Sequence, residues 1–225
     1  MKIVTEVLVG SRLHNLHRED SDYDWRGIHI NPIKDVLSPF KKTKNTSWIE
    51  GDVDNTSYEL ADFCKQATHG NATILEVFFS DQIKIDSEIA KEMRDNWKMF
   101  IDTDKFVAAS RGYAHNQYNK MRLFEPDERT PKFAVAYQRV LWQCWQFLRT
   151  DKFKCQIEEP YRTCLLDTKY NFTSEMVPGL GERFMMLQQK ITEAYPNAKK
   201  RKPDFDWIEG FIYRSYTKYK KLGKK

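Results

Sequence analysis

The chain opens on a hydrophobic run, Ile3, Val4, Val7, Leu8 and Val9, that stops abruptly at Gly10-Ser11. Asp22-Tyr-Asp24 follows after a short spacer and leads into a second β-type run over 25–30. Residues 47–50 read as a further strand entering a turn at Gly51-Asp52. Beyond this point the apolar spacing turns helical. Ser57 is the expected N-cap of a helix reaching His69, where Gly70-Asn71 stops it, and 72–79 forms a short apolar helix. Further helices are predicted over 87–100, 104–124, 131–149, 181–194 and 204–222. With no internal repeat and no low-complexity linker, the pattern predicts an α/β (α+β) chain. A small mixed sheet with flanking helices occupies 1–80, and a helical half over 81–225 packs on it.

The final helix carries two overlapping patterns. Tyr213, Tyr216 and Tyr219 interleave with Arg214, Lys218, Lys220 and Lys221, as a stacking and phosphate-binding face would. Phe205, Ile208, Ile212, Tyr216 and Tyr219 also share one amphipathic stripe, so core packing is the expectation for the aromatics.

Composition narrows the class. At 225 residues, 40% hydrophobic and 14% aromatic, with a mean hydropathy of −0.71, the chain can bury a core beneath a very polar surface. No apolar run approaches membrane-spanning length, and the Met1-Lys-Ile-Val opening lacks the pattern of a signal peptide, so a cytoplasmic protein is expected. The four cysteines show no C-x-x-C spacing and are expected to be reduced and mostly buried. A net charge of +5 fits a polyanionic partner. The basic residues concentrate in Lys199-Lys-Arg-Lys202 and over 214–225, as a solvated helix end or an RNA contact.

The candidate chemistry lies at the two ends of the first spacer. Asp22 and Asp24, two apart, can face one spot about 6–7 Å apart along a strand. Two carboxylates so placed suit Mg²⁺, which takes oxygen ligands and shares them with substrate phosphates. A glycine after a strand allows close backbone approach to a phosphate, and the Ser11 hydroxyl with the N–H groups of the next helix favours an anion. His14 and His17 have no acidic or thiolate partner at metal-site spacing, and His14 is expected to face a phosphate or solvent. His29, His69 and His115 stand isolated.

Strand, Gly-Ser, spacer, Ser-Asp-x-Asp and strand together resemble the DNA polymerase β-like nucleotidyltransferase superfamily. The blocks Tyr58-Glu-Leu-Ala-Asp-Phe63, Gly70-Asn-Ala-Thr-Ile-Leu-Glu-Val-Phe-Phe-Ser80, Arg111-Gly-Tyr-Ala-His-Asn-Gln-Tyr-Asn-Lys120 and Lys132-Phe-Ala-Val-Ala-Tyr-Gln-Arg139 resemble the predicted nucleotidyltransferases associated with RNA repair in bacteria and large phages. The likeness reaches to about residue 170, with Ala72 where proline is common and Tyr137 where histidine is common.

The resemblance implies transfer of a nucleoside monophosphate from an NTP to a hydroxyl with Mg²⁺ or Mn²⁺. Asp22 and Asp24 would bridge the metals, and Asp54 would complete the site, with Asp52 and Glu59 in reserve. Gly10, Ser11, Arg12 and His14 fall to the nucleotide. Lys120, Lys132 and Arg139, with Arg111 and Gln117, contact triphosphate, base or acceptor, or else form surface ion pairs. An RNA or tRNA end is the implied acceptor. A protein side chain, modified as in toxin–antitoxin pairs, and a non-catalytic nucleotide- or RNA-binding module are the rivals.

Overall fold

The computed structural model describes residues 1–41, 45–50, 53–123 and 127–222, and within these leaves out the side chains of 48–50, 53–54 and 220–222. Among the described residues five strands form one mixed sheet: β1 (Lys2–Val9), β2 (Tyr23–Ile30), β3 (Thr46–Glu50), β4 (Val53–Glu59) and β5 (Ile83–Asp86), in the order β3-β4-β2-β1-β5. β1 lies antiparallel to β2 and β5, β3 antiparallel to β4, and β2 parallel to β4. The helices are α1 (Gly10–Leu13), α2 (Ile33–Val36), α3 (Leu60–Ala67), α4 (Ala72–Phe79), α5 (Glu88–Asp95), α6 (Thr103–Leu123), α7 (Thr130–Thr150), α8 (Tyr161–Tyr170), α9 (Val177–Ala194) and α10 (Phe205–Leu222). The α+β class read from the pattern is the observed one. No helix is long and apolar enough to cross a membrane among the described residues.

The chain divides into two compact units. The first holds residues 1–13, 17–102 and 201–225; the second holds 14–16 and 103–200. The boundary expected at residue 80 thus falls inside the first unit, which also takes back the C-terminal segment.

In the first unit β1 lies inside the sheet between β2 and β5 and is buried on both faces from Val4 to Val9. α10 joins this core through rings. Trp207 stacks on Phe211 at 5.4 Å, and Phe100 meets both edge-on. Such pairs add about 0.5–1.5 kcal/mol each beyond their buried area. Ile208, Phe211 and Tyr216 are buried, but Phe205 is 57% exposed and Tyr213 73%. The stripe expected through Phe205 is therefore turned toward Phe211.

Two local readings are corrected here. Ser57 does not cap a helix: it lies within β4, opposite Gly27, and its Oγ shares a 2.8 Å hydrogen bond with His29 Nδ1. Glu59 caps α3 instead, accepting from the Ala61 N–H at 2.9 Å. The short strand β5 and helix α8 escaped the pattern. β5 has only four residues, and α8 buries only Leu165 and Thr168, too few to write an apolar period. Ala72, where proline is common, opens α4 behind the Asn71 cap, the position at which proline and alanine are equally accommodated.

The second unit is helical, with α7 at its centre. Tyr137, where histidine is common, is fully buried and donates its hydroxyl to the Leu180 carbonyl at 2.7 Å. It is a core residue. Cys64, Cys144 and Cys155 are buried and Cys164 is exposed, all as free thiols. Burial pushes the Cys144 thiol up to about 12.

His29 is completely buried, and its Nε2 has no hydrogen-bond partner among the described residues. Desolvation lowers its pKa below 6.5 against the opposing pull of Glu59. The unfolded chain therefore takes up a proton that the folded chain refuses, so stability falls as pH drops from 6.5 toward the folded pKa and is unaffected above it. Thermal melts between about pH 5 and 7 should show this slope, and His29→Asn, which keeps a partner for Ser57, should flatten it.

Candidate active site

The antiparallel register of β1 and β2 sets Val9 opposite Asp24, so the first residue past β1 arrives beside the Asp24 side chain. That residue is Gly10, with a left-handed φ of +69°. A Cβ built on it would stand 1.9 Å from Asp24 Oδ2 and 2.8 Å from Cγ. The carboxylate occupies the volume that any other residue would need. Gly10 thus permits close approach of the Asp24 carboxylate. Ser11 follows on α1, a single turn of four residues.

Asp22 is exposed and directly precedes β2. Its position is fixed from behind by Arg12. Nε donates to the carbonyls of Ser21 at 3.0 Å and Asp22 at 3.3 Å, and Nη2 to those of Glu19 at 2.9 Å and Ser21 at 2.7 Å. The guanidinium lies 3.8 Å from the centroid of the Tyr23 ring. Arg12, assigned to the nucleotide, turns Nε and Nη2 to the loop that carries Asp22.

The parallel register of β2 and β4 pairs Asp24 with Asp54, one strand spacing of about 4.8 Å away. Asp54 is the second residue of β4, at its start. Its side chain lies outside the described residues, as does Asp52 altogether. Glu59, the other reserve, sits five residues along the strand, buried, capping α3 and accepting a hydrogen bond from Tyr216. Those partners occupy both of its oxygens. Among the described residues no three His, Cys, Asp or Glu side chains are grouped to hold a metal ion. Asp54 thus stands beside Asp24 in register, and Asp22 directly precedes β2.

Sequence reasoning passed over Arg26. It shares strand parity with Asp24, and its Nη1 donates to the Thr73 carbonyl and lies 3.4 Å from Glu76 Oε2 on α4. Glu76 is buried and Arg26 largely so, giving a cation held two residues inward of Asp24. The two-residue period Asp22, Asp24, Arg26 was the signal that could have found it.

The remaining assigned residues belong to the second unit. His14 neither faces solvent nor offers an open ring: it is buried, with Nδ1 2.9 Å from the Cys155 carbonyl. Arg139 is buried and donates to Gln143 Oε1 at 2.9 Å, because its place on α7 points into the bundle. Lys120 is exposed, with its ammonium 5.5 Å from the Phe133 ring centroid, and Lys132 is exposed near the start of α7. Arg111 donates to the Gln188 carbonyl and Thr192 Oγ1.

The basic segments are also partnered. Lys202 pairs with Asp102, Arg201 lies over Trp97, and Arg214 and Lys218 pair with Glu92 and Glu88 of α5. Within the second unit the Lys200 ammonium sits over the Tyr195 ring.

Residues 1–169 match the family described as RNA repair pathway DNA polymerase beta family. An uncharacterized 38.9 kDa protein encoded in the nrdC-mobD intergenic region of Enterobacteria phage T4 is 28% identical over 132 residues, 53% of this chain and 39% of the phage protein. The chain thus spans well under half the length of that relative.

Gly10→Ala should be severe out of proportion to one methyl, since it meets both a positive φ and the Asp24 carboxylate. If this site takes a metal–NTP complex, calorimetry should show Mn²⁺-NTP affinity lost in a protein that still folds, whereas Ser11→Ala should cost about 1 kcal/mol of binding. The paired tail makes a second expectation. If the chain binds RNA, neutralising Arg214 and Lys218 should leave the salt slope of that binding within about one unit of wild type, as filter binding from low to moderate salt would measure.

Proposed function

The chain belongs to the RNA repair pathway DNA polymerase beta family, and on that premise we propose that it is a metal-dependent nucleotidyltransferase that transfers a nucleoside monophosphate from an NTP to a hydroxyl on an RNA end. The observation that carries the reading is the seating of the Asp24 carboxylate against Gly10, which joins the two halves of the sequence motif at one point.

The donor set fits Mg²⁺. Asp22 and Asp24 offer hard carboxylate oxygens, Asp24 lies against bare backbone, and Asp54 is its register partner. These three residues would hold the ion, which when bound neutralises phosphate charge and lowers the pKa of the acceptor hydroxyl. Ser11 supplies a hydroxyl for the triphosphate. In the reaction the acceptor oxygen bonds to the α-phosphorus, the bond from that phosphorus to the bridging oxygen breaks, and pyrophosphate leaves. The acceptor proton leaves as the new bond forms. Arg26 tempers the negative charge of the carboxylates without joining them, because Glu76 and the Thr73 carbonyl hold its guanidinium.

RNA as acceptor follows from the family's association with RNA repair. The test is incubation with each of four α-³²P-labelled NTPs, Mg²⁺ and total RNA or cell extract, then digestion with RNase or protease. Label removed by RNase supports the reading, and label removed only by protease replaces it with protein nucleotidylation. Asp22→Asn and Asp24→Asn should each lower the rate by at least about a hundredfold while leaving the melting temperature close to wild type. Near-wild-type turnover in both would sink the carboxylate assignment.

A further inference from the structure

Within the second unit, Trp145 of α7 is partly exposed and has two cations gathered on its ring. The Arg149 guanidinium, one helical turn further along α7, lies 4.8 Å from the ring centroid. The Lys190 ammonium, which comes from α9, lies 4.6 Å from the same centroid. The two charges therefore stand within about one Debye length of each other, ~10 Å at moderate salt. Met186, 42% exposed, precedes Lys190 by one turn of α9 and adds apolar surface. Among the described residues no carboxylate pairs with Arg149 or Lys190. Glu193, three residues on from Lys190, accepts from Gln189 at 2.8 Å instead.

Helix chemistry alone explains one of these cations. An arginine four residues after a tryptophan covers its ring as an ordinary surface pair, and in the last turn of α7 it also answers the helix dipole. The second cation comes from another helix, and setting it on the same ring opposes like charges with no carboxylate between them. A bound anion removes that cost. Resting on the RNA acceptor proposed above, we propose that Trp145, Arg149 and Lys190 form a binding surface for single-stranded RNA, the indole stacking on a base and the two cations taking phosphates beside it. An indole with flanking cations suits a single strand because every unpaired base has a free π-face, whereas the bases of a duplex are already stacked on one another. An acidic protein segment would use the cations and leave the ring idle.

The experiment follows the fluorescence anisotropy of a short fluorescein-labelled single-stranded RNA bound to the full chain without NTP, from low to moderate salt. A duplex of the same length and polyglutamate serve as competing probes. Arg149→Gln and Lys190→Gln should each flatten the plot of log affinity against log salt by about 0.7, the value of one single-strand phosphate contact. Trp145→Leu should weaken single-stranded binding roughly tenfold and leave the salt slope unchanged, and Trp145→Phe, which keeps a ring, should recover most of the loss. Duplex affinity should respond to the glutamine variants and not to Trp145→Leu. An unchanged slope in the Arg149→Gln, Lys190→Gln double variant overturns the proposal, as does polyglutamate that competes through Trp145 as well as RNA does. If Trp145→Leu fails to fold, the two glutamine variants, which alter only the charged ends of side chains, decide by the slope. RNA that is held at this surface but never labelled by an NTP would defeat the functional reading and leave the surface standing. RNA that is labelled and bound with wild-type affinity by every variant would do the reverse.

Discussion

The Asp24 carboxylate stands where a side chain on residue 10 would stand, and most of the first unit's organisation serves that contact. The β1–β2 register delivers Gly10 to Asp24, the left-handed turn at Gly10 bends the chain away, and the parallel register carries Asp54 to the other flank of Asp24. Moving β2 by one residue would turn Asp24 to the opposite face and dismantle all three relations at once. The motif is thus a statement about register as much as about ligands.

Concentrating carboxylates at a sheet end has an electrostatic cost, and two arginines meet it differently. Arg12 works through geometry, binding loop carbonyls and lying on the Tyr23 ring. Arg26, two residues along β2 from Asp24, has its guanidinium held by the Thr73 carbonyl and Glu76. A guanidinium suits both tasks because its planar fork serves several oxygens at once, which a lysine ammonium on a flexible stem does poorly.

The sequence displayed some of this openly and hid the rest for physical reasons. Gly10, Asp22 and Asp24 were legible because a strand end, a bare backbone and two carboxylates two residues apart are local features. β4 was hidden because Asn55, Thr56 and Ser57 are turn and cap formers whose strand state comes from pairing with β2 on one side and β3 on the other. The tasks of Arg12, His14 and Arg139 were equally illegible. His14 finds its partner 141 residues away in the Cys155 carbonyl, which spacing along the chain does not encode, while Arg12 and Arg139 turn to near neighbours, the carbonyls over 19–22 and Gln143 one helical turn on, instead of to a ligand.

The C-terminal helix shows how tertiary context redirects an ambiguous pattern. α10 lies beyond the family-matched residues, yet it closes the first unit's core through Trp207 and Phe211 and reaches Glu59 through Tyr216. Glu59 in turn caps α3 and is the register partner of His29, whose ring holds Ser57. Tyrosines interleaved with basic residues can describe an RNA platform or an amphipathic core helix, and only the partners decide. Here Tyr216 is buried on a carboxylate and the neighbouring Arg214 and Lys218 answer acids of α5, so the charge that looked like an outward-facing surface is spent holding the helix to its own unit.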